Sequence, residues 1–147
     1  APDDSHITPE DTPVKGKVRF ISGLSNKQVC AAYSAARLMV FPSLAEGFGW
    51  PIAEAMACGC TVLTTGEAPM TEVGGDAAFY IPSRPQRDPA AWATQSGARV
   101  LEILQTTPDE TDQRRQLGYQ QVAQFDAEQT LNAYERIYRQ ALGKARN

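Results

Sequence analysis

Strand-like and helix-like segments alternate along this chain, and that alternation restricts its fold more than any other property. Leu38-Met39-Val40-Phe41 is a continuous apolar run halted by Pro42. Such a run suits a strand buried on both faces, as in a parallel sheet. Pro51 is placed for the first turn of a helix and Gly59 for a C-terminal stop, so Ile52–Cys58 reads as helical. Thr61-Val62-Leu63-Thr64 and Ala77–Ile81 supply two further strands, and Lys17-Val18-Arg19-Phe20-Ile21 an earlier one that turns at Ser22-Gly23. Ser25 and Gln28 form a capping box, with Val29, Ala32, Tyr33 and Ala36 as one buried stripe on the helix that follows. The sum is an α/β fold with a parallel sheet.

The C-terminal half turns helical. Asp88-Pro89 opens a helix with Trp92, Ser96, Val100 and Ile103 on one core-facing side. Thr107-Pro108-Asp109-Glu110 is a capping box opening a second. Asp126 and Gln129 imply a third, with Leu131, Tyr134, Tyr138 and Ala141 expected on its buried side. Residues 1–16, with Asp3, Asp4, Glu10 and Asp11 among Pro2, Pro9 and Pro13, read as a linker or disordered leader, leaving 17–147 as the folded part. No Met opens the sequence, so a piece of a longer protein is expected.

Several function classes drop out on composition. Lys and Arg number 14 against 17 Asp and Glu, a net charge of −3, which argues against a nucleic-acid partner. No window approaches the ~18 apolar residues of a membrane span. Arg136, Arg139, Lys144 and Arg146 read as a solvated face, leaving at most a peripheral membrane contact. His6 is the only histidine, which disfavours His-dependent triads and His-based metal sites. Cys58-Gly59-Cys60 lacks zinc-knuckle spacing, so Cys30, Cys58 and Cys60 are expected as buried free thiols in a reducing cytoplasm. No metal is expected.

Chemistry concentrates between Phe20 and Gly66, 47 residues carrying only Lys27, Arg37, Glu46 and Glu54 as charges. Glu54 sits in a segment apolar all round and is expected to be buried, where an ionised carboxylate needs hydrogen-bond donors. Glu46 follows the Leu38–Phe41 strand at its carboxyl end, the side on which open α/β sheets bind ligands. In Gly47-Phe48-Gly49-Trp50-Pro51, two glycines permit close backbone approach, and the helix after them offers free N–H groups to phosphate or sugar oxygens. A plain glycine turn beside a buried, satisfied Glu is the competing reading. Glu72 reads as capping a short turn.

The stretch Phe41-Pro42-Ser43-Leu44-Ala45-Glu46-Gly47-Phe48-Gly49-Trp50-Pro51-Ile52-Ala53-Glu54-Ala55-Met56-Ala57-Cys58-Gly59 resembles the E-x7-E signature of the retaining glycosyltransferases of family 4, the group 1 glycosyl transferases. Val18–Ser25 resembles the strand and turn upstream of that signature, and Thr71–Ala78 the family's E-V-x-G-D-A-A block. The resemblance runs from about Lys17 to Leu142. It implies a Rossmann-like, C-terminal donor-binding domain of a B-type glycosyltransferase, truncated on its N-terminal side. Carried over, Glu46 lies at the reacting centre and contacts sugar hydroxyls. Backbone N–H groups of Gly47, Phe48 and Gly49 hold the sugar and diphosphate, Glu54 accepts from the ribose, and Ser22-Gly23-Leu24 passes near the base. Transfer from a nucleotide-diphosphate sugar to a glycan or lipid-linked acceptor then proceeds with retention, without a metal or other cofactor, the departing phosphate acting as base.

Departures accompany the likeness. The Arg and Lys that clamp the diphosphate in the family have no match here, since Lys15, Lys17 and Arg19 lie in or beside the next strand. The acceptor-binding domain is likewise expected outside this sequence. Trp50 stands where the family often has a smaller residue, and Arg84-Pro85-Gln86-Arg87 departs from V-D-P-x-D. A non-catalytic Rossmann-like binding or assembly module is the alternative; it has no need of a carboxylate at Glu46.

Overall fold

In the computed structural model, residues 18–144 are described. The leader 1–16, Lys17 and Arg146 lie outside them. The elements run α1 (Asn26–Ala35), β1 (Met39–Phe41), α2 (Trp50–Ala57), β2 (Val62–Thr65), α3 (Met70–Gly74), β3 (Phe79–Ile81), α4 (Pro89–Ile103), α5 (Pro108–Val122) and α6 (Ala127–Lys144). The three strands form one parallel sheet in the order β1-β2-β3, with Met39 opposite Val62 and Leu63 opposite Phe79. The expected α/β class holds.

The central strand explains the layers. All four residues of β2 are buried, so helices cover both of its faces. Val62 joins Ile52, Ala55 and Met56 of α2 and Met70 and Val73 of α3 in one apolar cluster. Leu63, pointing to the other face, packs with Ile81 and with Ile103 of α4, flanked by Trp92 and Val100. The α4 face is thus the one its sequence spacing predicts. Helix α5 lies over α2, where Gly118 brings the backbones close: a Cβ there would sit 3.4 Å from Met56 Cβ.

Local capping follows the sequence closely. Ser25 with Gln28 and Thr107 with Glu110 both close full capping boxes. Asp88 accepts from Ala91 N–H, and Asp126 from Gln129 N–H. Gly59 ends α2 at φ 77°. Glu72 departs from its expectation: it lies exposed in the first turn of α3, whose N-cap is Pro69, and makes no side-chain capping bond.

Five further expectations are corrected. Val18–Ile21 forms no strand, and Phe20 and Ile21 are exposed. Without that neighbour β1 is an edge, and Val40 is 47% exposed rather than buried on both sides. The α1 stripe is shallow: Val29 and Tyr33 are half-buried, whereas Ala32 and Ala36 are exposed. Leu131, Tyr134 and Tyr138 of α6 are exposed, because among the described residues no element covers that face. Of the three thiols only Cys60 is buried; Cys58 is half-buried and Cys30 exposed.

Candidate functional site

The loop from Pro42 to Gly49 leaves the carboxyl end of β1 and delivers the chain into α2. Two buried threonines of β2 fix its start. Thr64 Oγ1 donates to the Phe41 carbonyl at 2.8 Å, and Thr65 Oγ1 to the Ser43 carbonyl at 2.7 Å. Ser43 Oγ in turn donates to Glu46 Oε1 at 2.7 Å. The carboxylate of Glu46 is therefore oriented by the chain before any ligand arrives, half-buried at the sheet's carboxyl edge. The threonines carry no motif, and their role was not legible from the sequence; continuous burial of β2 is the only signal that marks them.

Phe48 does different work from its neighbours. Its ring packs on the core, 5.2 Å from Phe125 in an edge-to-face arrangement and 4.6 Å from Trp50. Phe48 is half-buried, and Gly47 before it is exposed. Among the described residues, the N–H groups of Gly47, Phe48 and Gly49 donate to no protein acceptor. Gly49 is the N-cap of α2, buried, with φ 98° and ψ 40°. These three N–H groups and the Glu46 carboxylate lie in one loop at the N-terminus of α2, donors and an acceptor of the kind that a polyhydroxylated or anionic ligand uses.

Glu54 corrects its expectation. It is exposed, not buried, although its neighbours Ile52, Ala53, Ala55 and Met56 all are. The helix is short and apolar, but its outer face meets α1 only loosely, and a cleft of about 350 Å³ opens between them. Asn26, Tyr33 and Cys58 line this cleft with Glu54. Glu54 faces Tyr33 closely enough that its charge, after burial, helps to raise the Tyr33 phenol. Among the described residues no side chain donates to Glu54, so its carboxylate is open to a ligand's hydroxyls. Ser22 and Gly23 are exposed on the turn leading to Asn26, and nothing lies within 4 Å of a Cβ at Gly23. Neither residue lines the Glu54 cleft, which starts at Asn26, while Glu46 and Gly47–Gly49 sit at the opposite end of α2 from Cys58.

The family profile of the glycosyl transferases, group 1, matches residues 10–95. The chain belongs to that family. This group 1 glycosyl transferase chain is 35% identical over 129 residues to O-antigen chain mannosyltransferase B of Escherichia coli, covering 82% of this chain and 31% of that protein. It is 37% identical over 94 residues to O-antigen chain mannosyltransferase RfbU of Salmonella typhimurium, covering 64% and 25%. It is 32% identical over 95 residues to D-inositol 3-phosphate glycosyltransferase of Corynebacterium jeikeium, covering 63% and 22%. The chain spans about a third or less of the length of these curated relatives. Among the described residues, no helix of this glycosyl transferase chain is long and apolar enough to cross a membrane.

Proposed function

We propose that this chain is the donor-binding part of a retaining glycosyltransferase that moves a sugar from a nucleotide diphosphate to a glycan or lipid-linked acceptor. Relatives named as O-antigen chain mannosyltransferases favour polysaccharide assembly in the cytoplasm as the setting. The observation that carries the reading is the pairing of Glu46, pre-oriented by Ser43, with three uncommitted backbone N–H groups at Gly47–Gly49. A carboxylate oriented by Ser43 beside backbone donors without protein acceptors is what a bound sugar or phosphate can use.

In this reading the sugar lies against Glu46, whose charge opposes the positive charge that develops at the anomeric carbon. The backbone donors of Gly47, Phe48 and Gly49 take sugar and phosphate oxygens, and α2 adds the positive end of its dipole. Glu54 accepts from the ribose hydroxyls in the α1–α2 cleft, with the base near Ser22 and Gly23. Exposed Trp50, beside Phe48, flanks the sugar end. The chain spans about a third or less of its curated relatives, and this reading assigns it neither an acceptor site nor a cationic diphosphate clamp.

The test is Glu54→Ala in the full-length enzyme. A hydrogen bond to a charged group contributes about 1.5–3 kcal/mol, so nucleoside-diphosphate affinity falls roughly tenfold or more. Glu54 is exposed, so the variant folds as the parent does. Calorimetry giving parental affinity removes Glu54 from the site.

A further inference from the structure

Cys30 and Cys58 come from different helices, and their sulfurs stand 2.9 Å apart. Cys30 lies in the middle of α1 and is exposed, whereas Cys58 is the half-buried C-cap of α2. A disulfide bond is about 2.05 Å long, so closure asks the sulfurs to approach by under about 1 Å. The third thiol does not compete. Cys60 is buried, with its Sγ turned to the carbonyls of Thr61 at 3.3 Å and Ala36 at 3.9 Å. The joint is already seated by Ser34 Oγ, which donates to the Cys58 carbonyl at 3.3 Å. Helix α1 has no fully buried residue, and Tyr33 is its packing contact with the core cluster.

We propose that Cys30 and Cys58 are an oxidisable dithiol whose disulfide locks α1 against α2 along the wall of the Glu54 cleft. This rests on the two sulfurs and their helices and stands whether or not the cleft takes a nucleotide. The oxidant is a low-molecular-weight disulfide, RSSR. The exposed Cys30 thiolate attacks one of its sulfurs, forming Cys30–S–S–R and releasing RS⁻. Cys58, as thiolate, then attacks the Cys30 sulfur and expels the second RS⁻. The two protein thiols give up two protons and two electrons, and one RSSR becomes two RSH. In a reducing compartment such a bond is transient and follows the redox poise.

The second step governs the rate. Burial, together with the Cys30 sulfur, pushes the Cys58 thiol up to about 11; Cys60, Tyr33 and Glu54 beside it carry no positive charge, and Arg115 of α5 is engaged by the Gly59 carbonyl and Asp112. Thiolate is therefore scarce at neutral pH, and ring closure quickens as pH rises.

The experiment treats the 147-residue chain with oxidised glutathione. The expected product has lost two hydrogens, and peptide mapping links Cys30 to Cys58. Its thermal midpoint rises by at least about 5 °C, reversibly with dithiothreitol. Cys60→Ala keeps both link and shift; Cys30→Ser, with the parent's circular dichroism spectrum, loses both. A Cys58–Cys60 link, a Cys30–Cys30 dimer or glutathione adducts without ring closure overturn the proposal. So does a linked chain whose midpoint has not moved.

Discussion

At Gly49 the backbone holds φ 98°, a left-handed conformation, although an added Cβ would meet only Ile52 Cδ1, at 3.4 Å. A side chain in that conformation costs roughly 1–2 kcal/mol. Gly49→Ala is therefore expected to lower unfolding stability by about that amount in urea titration. Gly47, in open space and without positive φ, is the contrast. Gly47→Ala should leave stability within about 0.5 kcal/mol of the parent, so any loss of donor binding there reports the ligand rather than the fold. Thiols and phenols set the alkaline limit at the same scale. Burial is the first cause of the raised values of Cys58, Cys60, Tyr33 and Tyr80. The fold thus favours their neutral forms, and the unfolded chain loses these protons first. Stability is full below about pH 8.5, the ordinary thiol value, and is lost as pH climbs through 9 toward about 11. Urea midpoints of the reduced chain at pH 8 and 10.5 check the sign; a midpoint that rises contradicts it.

Between residues and elements, β2 is what aims the loop. Replacing Thr64 or Thr65 by Val keeps the shape but removes a buried hydroxyl that serves the Phe41 or Ser43 carbonyl. Each change should cost about 1 kcal/mol of stability. Only Thr65→Val should also lower kcat severalfold, because Ser43 carries the hydrogen bond to Glu46; equal kcat in both variants would detach the loop's start from the chemistry. Caps and breaks were legible in the sequence because their chemistry is local: Ser25 reaches Gln28, Thr107 reaches Glu110, and Gly59 needs only its own φ. Covering was not legible, because periodicity names a face without saying what lies over it. Tyr134 and Tyr138 share a face of α6 that stays exposed, and Glu54 emerges from an apolar helix because α1 stands off. The β-like pattern of Val18–Ile21 likewise has no paired neighbour among the described residues.

For the whole molecule, the two apolar clusters on either face of β2 make a fold, whereas the proposed chemistry needs more than this chain. The chain covers 31% of O-antigen chain mannosyltransferase B. Much of a transferase's advantage comes from holding donor and acceptor together, so the purified 147-residue chain is expected to show no turnover. Turnover free of contaminating enzyme would mean that the acceptor is held by these residues alone. The central claim is that Glu46 acts on the transition state, and steady-state kinetics of full-length Glu46→Gln alongside calorimetry with the nucleoside diphosphate test it most directly. Gln keeps the shape and an acceptor for Ser43 while removing the charge. A group that answers charge developing at the anomeric carbon matters more to the transition state than to the bound nucleotide. The account predicts a kcat at least about tenfold lower, equivalent to ~1.4 kcal/mol, with nucleotide affinity nearly unchanged; parental kcat in a folded variant would contradict it.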